Sequence, residues 1–191
     1  DWIVTYLPNR ALLTRPSRTA ARRDRAIAAF GVTFAGTPHE LEGAAPEART
    51  VAACFDGTAL VDDAATSTAV LAGLETARYV HIATHGRHNV VAPSFQYLMC
   101  GAGTSIRAHE LARKDLRGCE VLSLSACETG LGRFDVGDNL AGIPASALLA
   151  GAETLAVGCP FCLTMVNDAS KADGGTVQVL DVAELVAERL K

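Results

Sequence analysis

Two short β-rich runs constrain this chain more than any other feature. Tyr79-Val80-His81-Ile82-Ala83 and the run from Cys119 to Leu124 are both apolar and short, and each leads straight into residues that carry chemistry. The first ends in Thr84-His85-Gly86 and the second in Ser125-Ala126-Cys127. Runs of this length and composition read as buried strands whose carboxyl ends deliver a side chain into a loop. His85 and Cys127 stand 42 residues apart, enough for a crossover between neighbouring parallel strands.

The rest of the pattern alternates between the two structural periods. Ile3 to Leu7 predicts a strand ended by Pro8-Asn9, and Ala20 to Phe30 a helix turning its Arg and Asp to solvent. Helices are predicted over Ala48 to Phe55, after the Pro46-Glu47 start signal, and over Thr66 to Ala77, with Asp62 or Thr66 as cap. An apolar run from Tyr97 to Cys100 turns at Gly101-Ala102-Gly103, and Ala108 to Arg113 predicts a short helix. Asn139 to Ala150 predicts another, with Pro144 in its early turns and Gly151 as its stop, and Thr154 to Val157 a strand. Strands alternating with helices define an α/β layered fold with a mostly parallel sheet, and such sheets gather functional groups at the carboxyl ends of their strands.

Composition narrows the function. At 191 residues, one domain is the default expectation, and 49% hydrophobic with 20% charged residues describes a chain that folds. Seventeen Lys and Arg against 21 Asp and Glu leave a charge of -4, so no global positive field recruits nucleic acid or an anionic membrane. Arginines at 10, 15, 18, 22, 23 and 25 cluster without interleaved aromatics, which is the pattern of a solvated face. Six cysteines, at 54, 100, 119, 127, 159 and 162, are too sparse for a disulfide scaffold and fit a reducing compartment, hence the cytoplasm. No 18-residue apolar run and no basic leader appear, and the chain opens without Met, as a piece of something longer does.

A thiol attacks carbonyl carbon as the thiolate, which a neighbouring imidazole generates by taking the proton. Cys127 is the candidate nucleophile and His85 the candidate base. Gly86 lets backbone approach a substrate, and its N–H with that of Cys127 makes a candidate oxyanion hole. Composition by itself favours a plainer reading, in which Cys127 is a small buried residue and His85 a satisfied loop histidine. His81, His88 and His109 read as structural or exposed, and no carboxylate is an obvious third member, since Glu128 points away from its neighbour on extended chain.

The wider pattern decides between those readings. Pro38-His39-Glu40-Leu41, the helix from Glu47 to Phe55, Tyr79 through Gly86, Leu122 through Gly130, Gly137 through Pro144 and Leu149-Ala150-Gly151-Ala152 together resemble the CHAT family. Its members are caspase-like proteins related to separases and often fused to helical repeats. The resemblance covers about residues 1–157 and implies a three-layer α/β/α sandwich with His85 and Cys127 as catalytic dyad and Gly86 as oxyanion donor. Asp138 carries over as a motif position, either on the substrate side or capping the helix at Asn139, and Asp168 aligns loosely with the family's acidic pair.

Residues 158–191 depart from that pattern. Cys159-Pro160-Phe161-Cys162 and the following segment resemble the end of a cysteine-rich iron–sulphur oxidoreductase domain of heterodisulfide-reductase type. The adjacent-cysteine motif that works with such a pair is absent from this chain, so no cofactor and no metal is expected. Val177 to Leu180 and Ala183 to Leu190 have the periods of a strand and a helix packed on the same domain. The expected activity is that of a cysteine endopeptidase acting on a protein or peptide, with a fused or partner helical-repeat domain. A catalytically degenerate interaction module is the second reading, and a redox protein working through Cys159 and Cys162 the third.

Overall fold

The computed structural model describes residues 25–89, 92, 95–126, 134–135, 139–140, 142–150, 154–157 and 178–181. The expected strand at Ile3 to Leu7 and helix at Ala183 to Leu190 lie outside those residues.

Arg25–Gly31 is the first strand among the described residues, β1, where the sequence predicts the end of a helix. Ala28, Ala29 and Phe30 are buried, so both faces of the segment are covered. A continuous apolar run carries no periodicity that separates a buried strand from a buried helix, and alanine tips local propensity the wrong way. Pairing with strands on both sides overrides that propensity.

From β1 the chain passes through helix α1 (Ala44–Ala53) to β2 (Leu60–Val61) at one edge of the sheet, then through α2 (Ser67–Thr76) back past β1 to β3 (Ala77–Ala83). The two crossovers travel in opposite directions, which puts their helices on opposite faces. Ile27 and Ala29 pack with Ala48 and Ala52 of α1. On the other face the Gly73 position of α2 sits against Phe30 and Ala28. Thr66 is the cap of α2, its hydroxyl accepting the Ala69 N–H. Asp62, the alternative cap, instead accepts from both the N–H and the hydroxyl of Thr33.

After β3 come three short antiparallel strands, β4 (Gly86–Arg87), β5 (Tyr97–Met99) and β6 (Ser105–Arg107), then helix α3 (Ala108–Leu111) and strand β7 (Val121–Ser125). A ribbon of β8 (Phe134–Asp135) and β9 (Asn139–Leu140), helix α4 (Ile143–Ala150), β10 (Thr154–Val157) and β11 (Gln178–Asp181) complete the described elements. The main sheet runs β11-β10-β7-β3-β1-β2 with every pair parallel. A parallel α/β sheet with helices on both faces is a caspase-like architecture. No helix among the described residues is long and apolar enough to cross a membrane.

The helix predicted from Asn139 begins only at Ile143, because the Pro144 ring would collide with the residue 140 carbonyl if helix continued backward. Gln96, fully buried, caps it by accepting the Ile143 N–H at 2.9 Å. Asp138 lies outside the described residues. Gly142, at φ 110°, lies so close to the Gln96 side chain that any Cβ would overlap it.

The two faces of the sheet differ in the size of what covers them. Phe30, Leu74, Leu98, Ile106, Leu111, Leu122 and Leu124 form a large core on the α2 side. The α1 side is a smaller cluster, Ile27 and Ala29 against the alanines of α1, and Gly31 lets the start of α1 settle directly on β1. Gly31→Ala would drive a methyl into the Ala44 carbonyl and to 2.9 Å from the Ala48 methyl. It is expected to destabilise the fold by about 1–3 kcal/mol, read as a lower urea midpoint with unchanged slope.

Candidate active site

The strand order reverses between β1 and β3, since the chain leaves β1 toward one edge of the sheet and β3 toward the other. At such a switch point the connections part and open a crevice outside the carboxyl ends. His85 follows β3 there, and the loop after β1 supplies its surroundings.

His85 is half-buried, with its Nε2 2.7 Å from the His39 carbonyl oxygen. A carbonyl only accepts, so Nε2 carries the hydrogen and, in the neutral ring, Nδ1 holds the free lone pair. The Phe34 ring lies 5.2 Å from the imidazole centroid, tilted by 36°, and His39 meets it edge-on at 6.1 Å. Arg87 in turn donates toward the His39 ring at 3.4 Å. The loop thus holds the imidazole by one hydrogen bond and two ring contacts.

Gly86 is buried and stands opposite Leu98. Met99 donates its N–H to the His85 carbonyl at 2.9 Å, so His85 and Met99 occupy a hydrogen-bonded position of the ladder. By the alternation of antiparallel pairs, the Gly86 N–H then faces away from β5. A cleft of about 800 Å³ opens alongside, lined among others by Thr33, Phe34, Asp62, Met99 and Arg107. Phe34 and Met99 both border it and touch His85.

The approach to Cys127 is described as far as Ala126. β3 and β7 pair in parallel with Ala83 opposite Ser125, and Thr84 donates its N–H to the Ser125 carbonyl at 3.1 Å. His85 lies two residues beyond Ala83 and Cys127 two beyond Ser125. Cys127 itself, Glu128, Asp138, Asp168, Cys159 and Cys162 lie outside the described residues.

Sequence reading missed a buried polar network beneath this edge. His81 is 4% exposed, its Nδ1 3.0 Å from the Ser123 hydroxyl and its Nε2 3.1 Å from a Glu47 carboxylate oxygen. That second contact is close but off the ring N–H axis, so it is not an aligned hydrogen bond. His81 beside it holds the Glu47 carboxyl below its ordinary value, against the opposing effect of burial and with help from the Ser125 hydroxyl. The available signal was Glu47 in the first turn of a predicted helix and a histidine inside a buried strand, but only the tertiary fold pairs them.

Of the cysteines among the described residues, Cys100 and Cys119 are buried and Cys54 exposed. Burial pushes the Cys100 thiol up to about 12.

A parallel α/β sheet covered on both faces, with an oriented imidazole at the carboxyl edge of a central strand, defines a caspase-like, peptidase-related class. Residues 2–172 match the CHAT domain model, and the chain belongs to the CHAT family. The match continues past Val157 and across Cys159 and Cys162. No curated protein matches the chain.

Two expectations follow from these environments. Because the Glu47 carboxyl is depressed in the fold, the stability it contributes is fully present above its unfolded value near 4.5 and disappears as pH falls through the lower folded value. Acid denaturation of Glu47→Gln is therefore expected to follow a flatter pH dependence below 4.5 than the parent chain, read by circular dichroism. Cys100 is expected to stay unmodified by a maleimide at pH 8 in the native state while Cys54 reacts, with unfolding in urea abolishing the difference.

Proposed function

We propose that this CHAT domain is a cysteine endopeptidase in which Cys127 is the nucleophile and His85 its base. The observation that carries the reading is the hydrogen bond from His85 Nε2 to the His39 carbonyl, which leaves Nδ1 as the basic nitrogen at the carboxyl edge of the sheet. The shared register of β3 and β7 supports it, because both strands end level and each is followed at the same interval by one member of the pair.

In this mechanism His85 Nδ1 takes the thiol proton and the Cys127 sulfur attacks the carbonyl carbon of the scissile peptide bond. The Gly86 and Cys127 N–H groups receive the developing oxyanion, and the outward aim of the Gly86 amide suits that role. His85 returns the proton to the leaving amine as the C–N bond breaks. Water, deprotonated by the same imidazole, then hydrolyses the thioester. The cleft beside Phe34 and Met99 offers room for the polypeptide. Asp138 and Asp168 are candidates for its binding wall by the family pattern, and a helical-repeat domain is the expected fused or separate partner. A reducing compartment such as the cytoplasm keeps the thiol usable.

Peptide libraries read by mass spectrometry test the reading. Cys127→Ala is expected to abolish cleavage, and His85→Ala to lower it by about 10²–10⁴-fold, with thermal stability close to that of the parent. Absence of cleavage by the parent, combined with Cys127 alkylation no faster than that of an ordinary thiol, would establish the alternative of a non-catalytic contact module.

A further inference from the structure

His81 is a buried titratable group that the proposed reaction does not use. With Ser123 and Glu47 it assembles the residue set of a hydrolase triad. Ser123, however, is buried within the sheet, and its hydroxyl bonds an imidazole that faces a helix. No substrate carbonyl reaches it there, so the network requires a different account.

Its placement supplies one. Glu47 projects from the first turn of α1 and meets β3 through His81, whose other ring nitrogen lies 3.0 Å from the Ser123 hydroxyl on β7. His81 and Ser123 are direct partners across the β3–β7 pairing. The contacts therefore bracket the point from which one strand continues to His85 and the other to Cys127. Elsewhere on this face α1 meets the sheet through apolar contacts, Ala48 and Ala52 against Ile27 and Ala29, which are not directional. The Glu47–His81–Ser123 chain is the polar contact that links α1 to both central strands.

We infer that Glu47 and His81 are positioning residues, clamping α1 onto the ends of β3 and β7 and so setting the spacing between His85 and Cys127. The inference rests on the cysteine-peptidase reading, and it assigns Glu47 no contact with substrate. Gln in its place keeps an oxygen within reach of His81, whereas Ala keeps nothing.

The test is the pH dependence of Cys127 alkylation by iodoacetamide in the full chain, read by peptide mass spectrometry, with exposed Cys54 as internal reference. In the parent, Cys127 is expected to react at lower pH than Cys54, and His85→Ala to remove that advantage. Glu47→Ala is expected to raise the Cys127 midpoint by about one pH unit, roughly tenfold slower reaction at pH 6, and to add little to His85→Ala in the double variant. Glu47→Gln is expected to keep most of the parent profile. A lowered melting temperature in Glu47→Ala with the parent's Cys127 profile would mean a purely structural role and overturn the inference. Should Glu47→Ala fail to fold, Ser123→Ala takes its place: a raised midpoint supports the clamp, and an unchanged one overturns it. Should parent Cys127 instead match Cys54 and ignore His85→Ala, the peptidase reading itself fails and the inference with it.

Discussion

Parallel pairing between β3 and β7 is the constraint on which the site depends. Because side chains alternate with a period of two, a slip of one residue would carry His81 away from Ser123 and turn the whole buried set of one strand outward. With Val80 opposite Leu122 and Ile82 opposite Leu124, the large apolar residues of both strands fall on the side that faces α2. That burial holds the register, and the register makes the two strands end level. The polar partners on the other face inherit their alignment from the apolar ones.

The two faces of the sheet thus do different work. On the α2 side, Phe30, Leu74, Leu122 and Leu124 bury much apolar surface, and the stability of the fold comes largely from there. On the α1 side, alanines and Gly31 bring a helix close enough for a carboxylate to reach an imidazole inside the sheet. Small residues forgo burial and gain proximity. A larger side chain at Gly31 would both strain the helix contact and move Glu47 off His81.

The loop after β1 gives the crevice its second wall. It turns at Phe34, where φ is 52°, and is held by Thr33 on Asp62 and by the Leu41 N–H on the Thr33 carbonyl. Thr33 keeps the Asp62 carboxyl below its ordinary value, so this anchor stays charged at neutral pH. The anchored loop places the His39 carbonyl against His85. A backbone oxygen does the orienting here, so no side-chain identity reveals it.

Much of the strand pattern was legible in the chain itself, because Tyr79 to Ala83 and Val121 to Leu124 are short, apolar and β-rich, and their periodicity is a local property. The positions of His85 and Gly86 at a strand's carboxyl end followed from the same local signal. Arg25 to Gly31 was not legible, since an alanine-rich run covered on both faces carries no period and its local preference is helical. The start of α4 was set by Pro144 and by Gln96, the latter 47 residues before the amide it caps. Glu47 belongs to a different element from His81 and Ser123, and nothing in the spacing of the chain places it near them. What the sequence by itself determined was the two central strands, β3 and β7, and the residues that follow them, because apolar period and turn chemistry act over a few residues. The tertiary structure alone decided which polar groups meet and which nitrogen of His85 is left basic, because those depend on contacts between segments that only packing brings together.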